Sequence, residues 1–118
     1  MTRRNLEMYR GDTLPFRVTV TNVGEPVNLS GCTFTMTAKY DIGDNDASAV
    51  FSITSPAYIV ITDAINGIIS VTIPPSATTS LPPRKVQLYY DIQMIDGANI
   101  YTVTSGFLNV TPDVSITT

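Results

Sequence analysis

The oxygen-rich run Asp41-Ile42-Gly43-Asp44-Asn45-Asp46-Ala47-Ser48 is the densest group of metal-ligating residue types in the sequence. Asp44, Asp46 and Ser48, spaced two apart, match the opening of a calcium loop. The rest of that motif is missing. Ala49 stands where the loop needs its glycine, and Ser55 where it needs its bidentate glutamate. Asp, Asn and Gly are also turn formers, so a solvated hairpin tip is expected and no metal is assigned. Glu7, Asp63, Asp91 and Asp96 are of the type that glycoside hydrolases pair as acid and base. Asp63 and Asp96 sit in turn contexts and Asp91 on the polar side of an alternating run, and all are read as solvated charges. Ser30-Gly31 and Ser105-Gly106 lack a nucleophile elbow. The sequence contains no histidine, which excludes a Ser-His-Asp triad, a Cys-His pair and a histidine metal cluster. No catalytic or cofactor residue follows from the sequence, and the chain is not expected to be an enzyme.

Recognition is the other chemistry these residues could support. Tyr89 falls on the polar side of its run, and Tyr9, Tyr58 and Tyr101 have no evident core to face. Tyrosine buries area while keeping a polar tip, which suits protein interfaces and sugar-binding surfaces. Arg3, Arg4, Arg10 and Arg17 crowd the first segment. Arg3, Arg4, Tyr9, Tyr89 and Tyr101 are therefore the candidate interface residues. Seven basic against ten acidic side chains give a net charge of −3, without the positive field of a nucleic-acid binder. In Arg10-Gly11-Asp12 the aspartate is expected to organise a turn rather than to be a recognition motif.

The elements that must position these residues are written in period two. Leu14, Phe16, Val18 and Val20 alternate with Arg17, Thr19 and Thr21, as a half-buried strand requires. Cys32, Phe34, Met36, Ala38 and Tyr40 form a second inward set, opposite Thr33, Thr35, Thr37 and Lys39. A short strand is expected over Ala49 to Thr54. Tyr58 to Thr62 and Ile69, Val71, Ile73 read as a hairpin around Asn66-Gly67, a positive-φ pair. Pro74 to Pro83, with prolines at both ends, reads as a crossover holding one helical turn. Val86, Leu88, Tyr90, Ile92 and Met94 make the longest alternation. Asp96-Gly97 turns the chain into Ile100 to Val110, with a bulge expected at Ser105-Gly106. Met1 to Tyr9 and Pro112 to Thr118 are expected to be terminal arms that order on a neighbour.

About seven or eight short strands with regular turn signals predict an all-β, Ig-like antiparallel sandwich in a single domain spanning 1–118, with a small Greek-key barrel as the alternative. At 118 residues, 43% hydrophobic and 14% charged, the chain can bury a core without staples. The lone Cys32 cannot form an internal disulfide. Met1 is followed by Thr2, Arg3 and Arg4 with no apolar run, and no stretch approaches the ~20 apolar residues of a membrane span. A soluble protein made in the cytoplasm, without a membrane or nucleic-acid partner, is the expectation.

The order of segments resembles a family. Arg10-Gly11-Asp12-Thr13 precedes the strand Phe16 to Val20, and Pro26-Val27-Asn28-Leu29-Ser30-Gly31-Cys32 opens the next. Ile61-Thr62-Asp63-Ala64 with Asn66-Gly67 precedes Val71-Thr72-Ile73-Pro74, followed by the proline-bounded crossover and Tyr90-Asp91-Ile92. This order resembles the Ig-like domains of tailed-phage structural proteins, particularly the N-terminal domain of baseplate upper proteins, over about residues 8 to 112. The resemblance implies a non-enzymatic assembly module of the virion, made in the host cytoplasm. It would dock on tail, baseplate or capsid proteins and oligomerise within the particle. In that family a coiled coil and a receptor-facing part follow, whereas this sequence ends at Thr118, so a free-standing connector, decoration or adaptor is expected. A carbohydrate-binding module contacting host polysaccharide through exposed tyrosines is the alternative.

Overall fold

The computed structural model of the chain describes residues 2–41, 49–82 and 84–112. Its strands are β1 (Thr2–Arg3), β2 (Leu6–Tyr9), β3 (Leu14–Thr19), β4 (Thr21–Asn22), β5 (Glu25–Pro26), β6 (Thr33–Lys39), β7 (Phe51–Thr54), β8 (Ile59–Asp63), β9 (Ile68–Ile73), β10 (Val86–Asp96) and β11 (Asn99–Thr111). Eight of these span four or more residues, the number expected from the turn spacing; the others are two-residue pairings. One sheet has six strands, ordered β1-β11-β10-β6-β7 with β2 also on β11, and a second has the three strands β3-β9-β8. β4 and β5 form a separate small hairpin. The chain passes from the second sheet to the first between β9 and β10, through a 3-10 turn at Pro75–Ala77. Prolines flank this passage because neither of its ends has to continue a ladder.

One hydrophobic core draws on both sheets. Phe34, Met36, Leu88, Ile92 and Leu108 from the larger sheet and Ile59, Ile69, Val71 and Ile73 from the smaller are buried together. The alternation of the sequence predicts Phe34, Met36, Leu88, Ile92, Ile69, Val71 and Ile73 inward, since period two puts every second residue on one face, whereas the inward positions of Ile59 and Leu108 come from the structure. Val18 and Val20 are buried, with Leu14 and Phe16 packed partly against the core. The all-β layered expectation holds.

Four local features depart from the reading of the sequence. Tyr40 is exposed rather than inward, because β6 ends at Lys39, opposite Tyr89, and no pairing among the described residues continues the ladder around the tyrosine. The bulge lies at Val103, not Ser105-Gly106: Gln93 faces Thr102 while Ile92 faces Thr104. Gly106 serves a different purpose, since a Cβ there would collide with the Arg4 carbonyl. The third departure concerns the first segment. Rather than a loose arm it forms β1 and β2, which pair parallel with β11 in a fold otherwise paired antiparallel. Alternate burial of Leu6 and Met8 explains this, because their apolar side chains cover the edge of the core.

The fourth departure is in the β8–β9 turn, where Gly67 alone has positive φ, at 71°. A Cβ on Gly67 would sit 2.6 Å from the Val20 carbonyl oxygen, so close approach as well as conformation fixes glycine there. Residues 113–118, expected as the second arm, and the Asp44-Asp46-Ser48 motif lie outside the described residues.

Candidate interaction surface

Three hairpin tips meet at one end of the two sheets. Thr19 pairs with Ile68, and Val20 N–H donates to the Gly67 carbonyl at 2.7 Å, which sets the β4–β5 hairpin beside the β8–β9 turn. Leu29 N–H reaches the Ala64 carbonyl at 2.9 Å and ties the loop before β6 to the same turn. Ile95 pairs with Thr33, so the β10–β11 tip projects from this end as well. Between the tips lies a cleft of about 590 Å³, lined by Val20, Val23, Val27, Met94, Tyr101 and Val103, with Asn22 and Asp96 among its polar members.

The tips carry apolar side chains into solvent. Val23 is 96% exposed, Ile65 74%, Ile100 62% and Tyr101 50%. A turn position has no core to face, so an apolar residue there gains nothing from the fold of its own chain. Val23 and Tyr101 line the cleft, Ile100 precedes Tyr101 on β11, and Ile65 lies in the β8–β9 turn beside the β4–β5 hairpin. Asp63 supports the middle tip. Its carboxylate accepts the Asn66 side-chain amide at 2.7 Å and the Asn66 backbone N–H at 3.2 Å, and these bonds hold its pKa below the usual carboxylate range. Behind the tips, burial and the negative charge of Asp96 push the Cys32 thiol pKa up, which keeps it protonated and unreactive.

The opposite end is closed by polar contacts. Arg10 donates from Nε to the Leu81 carbonyl at 2.8 Å and from Nη2 to the Thr79 carbonyl at 2.7 Å. Gly11 N–H donates to the Thr78 hydroxyl at 2.8 Å. Arg10-Gly11 therefore clamps the crossover, satisfying carbonyls that an irregular segment would otherwise leave unpaired.

The candidate interface residues do not meet in one patch. Arg3 pairs through its backbone with Ser105. The Arg4 guanidinium lies 5.4 Å from the Phe16 ring centroid and donates to the Arg17 carbonyl at 2.6 Å, strapping the first segment to β3. Tyr9 is exposed at the closed end, opposite Thr111. Tyr89 is half-buried, its ring 5.1 Å from that of Phe107. Tyr101 alone belongs to the open end. Val23, Ile65 and Ile100 escape a reading of turn segments by their Gly, Asn and Asp. The signal is an apolar residue in or next to each turn: Val23 before Gly24, Ile65 before Asn66-Gly67, and Ile100 directly after Asp96-Gly97-Ala98-Asn99.

Among the described residues no group of three His, Cys, Asp or Glu side chains could hold a metal ion, and no helix is long and apolar enough to cross a membrane. No family model matches the chain. No curated protein matches it. Among solved structures it is similar to the N-terminal domain of phage TP901-1 ORF48, with 12% identity and a TM-score of 0.47, over 94% of this chain and 98% of that one.

Proposed function

We propose that the chain is a non-enzymatic assembly module of a tailed-phage virion, docking through its open end on tail, baseplate or capsid proteins. The observation that carries the docking is that Val23 and Tyr101, exposed and apolar, share one cleft, with Ile100 exposed next to Tyr101 on β11 and Ile65 exposed in the β8–β9 turn beside the β4–β5 hairpin. The order of turns and strands, which resembles Ig-like phage structural domains, supplies the virion setting. Docking would work by covering these side chains with an apolar partner surface while the polar rim, Asn22 and Asp96 included, fixes orientation. The test is incorporation. Particles assembled with the Ile65→Asp variant, purified and measured by mass spectrometry, should contain little of the chain although the isolated variant melts as the parent does. Normal incorporation overturns the reading.

A second reading rests on Tyr101, half-exposed in a cleft that also contains Asp96. An aromatic face beside a carboxylate acceptor is a grouping that binds sugar rings. A glycan array decides it: binding that Tyr101→Ala abolishes supports this reading, and no binding removes it.

A further inference from the structure

We propose that two copies of this chain pair edge to edge along Asn99–Val103 of β11, antiparallel and centred on Tyr101. The proposal deepens the docking reading, whose open end it rests on, by naming one partner of that end as a second copy.

Backbone direction supports it. The hairpin turn holds only Gly97 and Ala98, so Asp96 and Asn99 close it as a hydrogen-bonded pair,. Met94 and Tyr101, two residues further along each strand, form the next such pair. By alternation Ile100 and Thr102 turn their N–H and C=O groups away from β10. Beyond the bulge the same edge of β11 is occupied. Ser105 accepts from Arg4 N–H at 2.8 Å, Phe107 N–H donates to Asn5 Oδ1 at 3.1 Å, and Thr111 accepts from Arg10 N–H at 2.8 Å. Among the described residues the N-terminal segment reaches only as far as Thr104, and no strand pairs with this edge over Asn99–Val103. Asn99 to Thr102 are exposed in succession.

A bare, uncharged edge of β-forming residues is a template for another strand. One other edge, the outer side of β3, is blocked against this. On the free side of β3 stand Pro15, which has no N–H, and the Arg17 carbonyl, which is taken by Arg4. Asn99-Ile100-Tyr101-Thr102-Val103 has neither device.

Self-complementarity points to a second copy. With the two-fold axis at Tyr101, Ile100 of each chain faces Thr102 of the other, and both residues present to the contact backbone groups that no described strand pairs. Side chains of one face then meet side chains of the same face, as antiparallel pairing requires. In a chain of net charge −3, the run Gly97 to Phe107 contains no charged residue. Two copies can therefore approach there without like charges in opposition.

The pairing is tested on the isolated full chain by sedimentation velocity and oxidative crosslinking. The parent should show a concentration-dependent monomer–dimer equilibrium. Thr102→Pro, which removes an N–H that bonds nothing among the described residues, should weaken dimerisation about tenfold or more while the thermal transition stays in place. Ile100→Lys, which puts a charge on the contact without altering the backbone, should do the same. Tyr101→Cys should crosslink to itself, since non-hydrogen-bonded antiparallel partners lie about 4.5 Å apart at Cα. Ile100→Cys should not, because it faces Thr102. A parent that stays monomeric, a dimer indifferent to both Thr102→Pro and Ile100→Lys, or a crosslink at Ile100→Cys stronger than at Tyr101→Cys overturns the proposal. A monomeric parent whose Ile65→Asp variant still fails to enter particles overturns the pairing alone and leaves the docking reading standing.

Discussion

The two halves of β11 are built from the same kinds of residue and end differently. From Thr104 to Thr111 the strand is paired on both sides, by β10 and by the first segment of the chain, and it ends beside the crossover clamped by Arg10. From Asn99 to Val103 it has β10 on one side only among the described residues. Threonine, valine and an aromatic residue occur in both halves. Intrinsic strand preference therefore does not distinguish them. Among the described residues a second segment lies beside Thr104–Thr111 and not beside Asn99–Val103, and the covered half contributes Leu108 and Val110 to the core. On the pairing proposed above, stability and recognition occupy opposite ends of one strand.

The largest test of this contrast lies under the covered half. Leu88 is fully buried opposite Leu108, so Leu88→Ala should cost about 2–5 kcal/mol in chemical denaturation. A loss below ~1 kcal/mol would mean that this half is not the stabilising one. Next is the clamp. Arg10→Ala leaves the Leu81 and Thr79 carbonyls without their charged donor and should cost about 1–3 kcal/mol; an unchanged transition would break the account of the closed end.

Tyr90 sharpens the boundary between the halves, since its hydroxyl donates to the Arg4 carbonyl and its ring lies opposite Gly106. Burial raises its pKa, against the opposing effects of the Thr104 hydroxyl and the Arg4 charge. The neutral phenol is thus the form the fold favours. Its contribution is complete below the ordinary tyrosine pKa near 10 and is lost as pH rises through the higher folded value. The parent should lose stability in that alkaline window more steeply than Tyr90→Phe, measured by urea denaturation across pH. Parallel profiles would remove Tyr90 from the account. The smallest effect belongs to the open end, where Ile65→Ser should change stability by no more than about 0.5 kcal/mol. A larger loss would show that the tip serves the fold.

Much of the fold was legible because burial in a sheet imposes period two. Phe34, Met36, Leu88 and Ile92 could be assigned to the core without knowing what they touch. The crossover was legible because proline cannot join a central ladder. The first segment was misread as an arm: Leu6-Glu7-Met8-Tyr9 alternates over only four residues, and its partner lies roughly a hundred positions away. Of the five candidate interface residues, only Tyr101 lies at the open end, because exposure of an alternating residue depends on what the other layer leaves uncovered.

By itself the sequence determined the inward set of the long alternating runs, most of the turns and the residue types available for chemistry, since these follow from local periodicity, turn preference and composition. Only the tertiary structure decided that three separate turns meet at one end and that, among the described residues, one half of β11 has no second neighbour. Both depend on pairings between residues far apart in the chain, and local preference does not specify a distant partner.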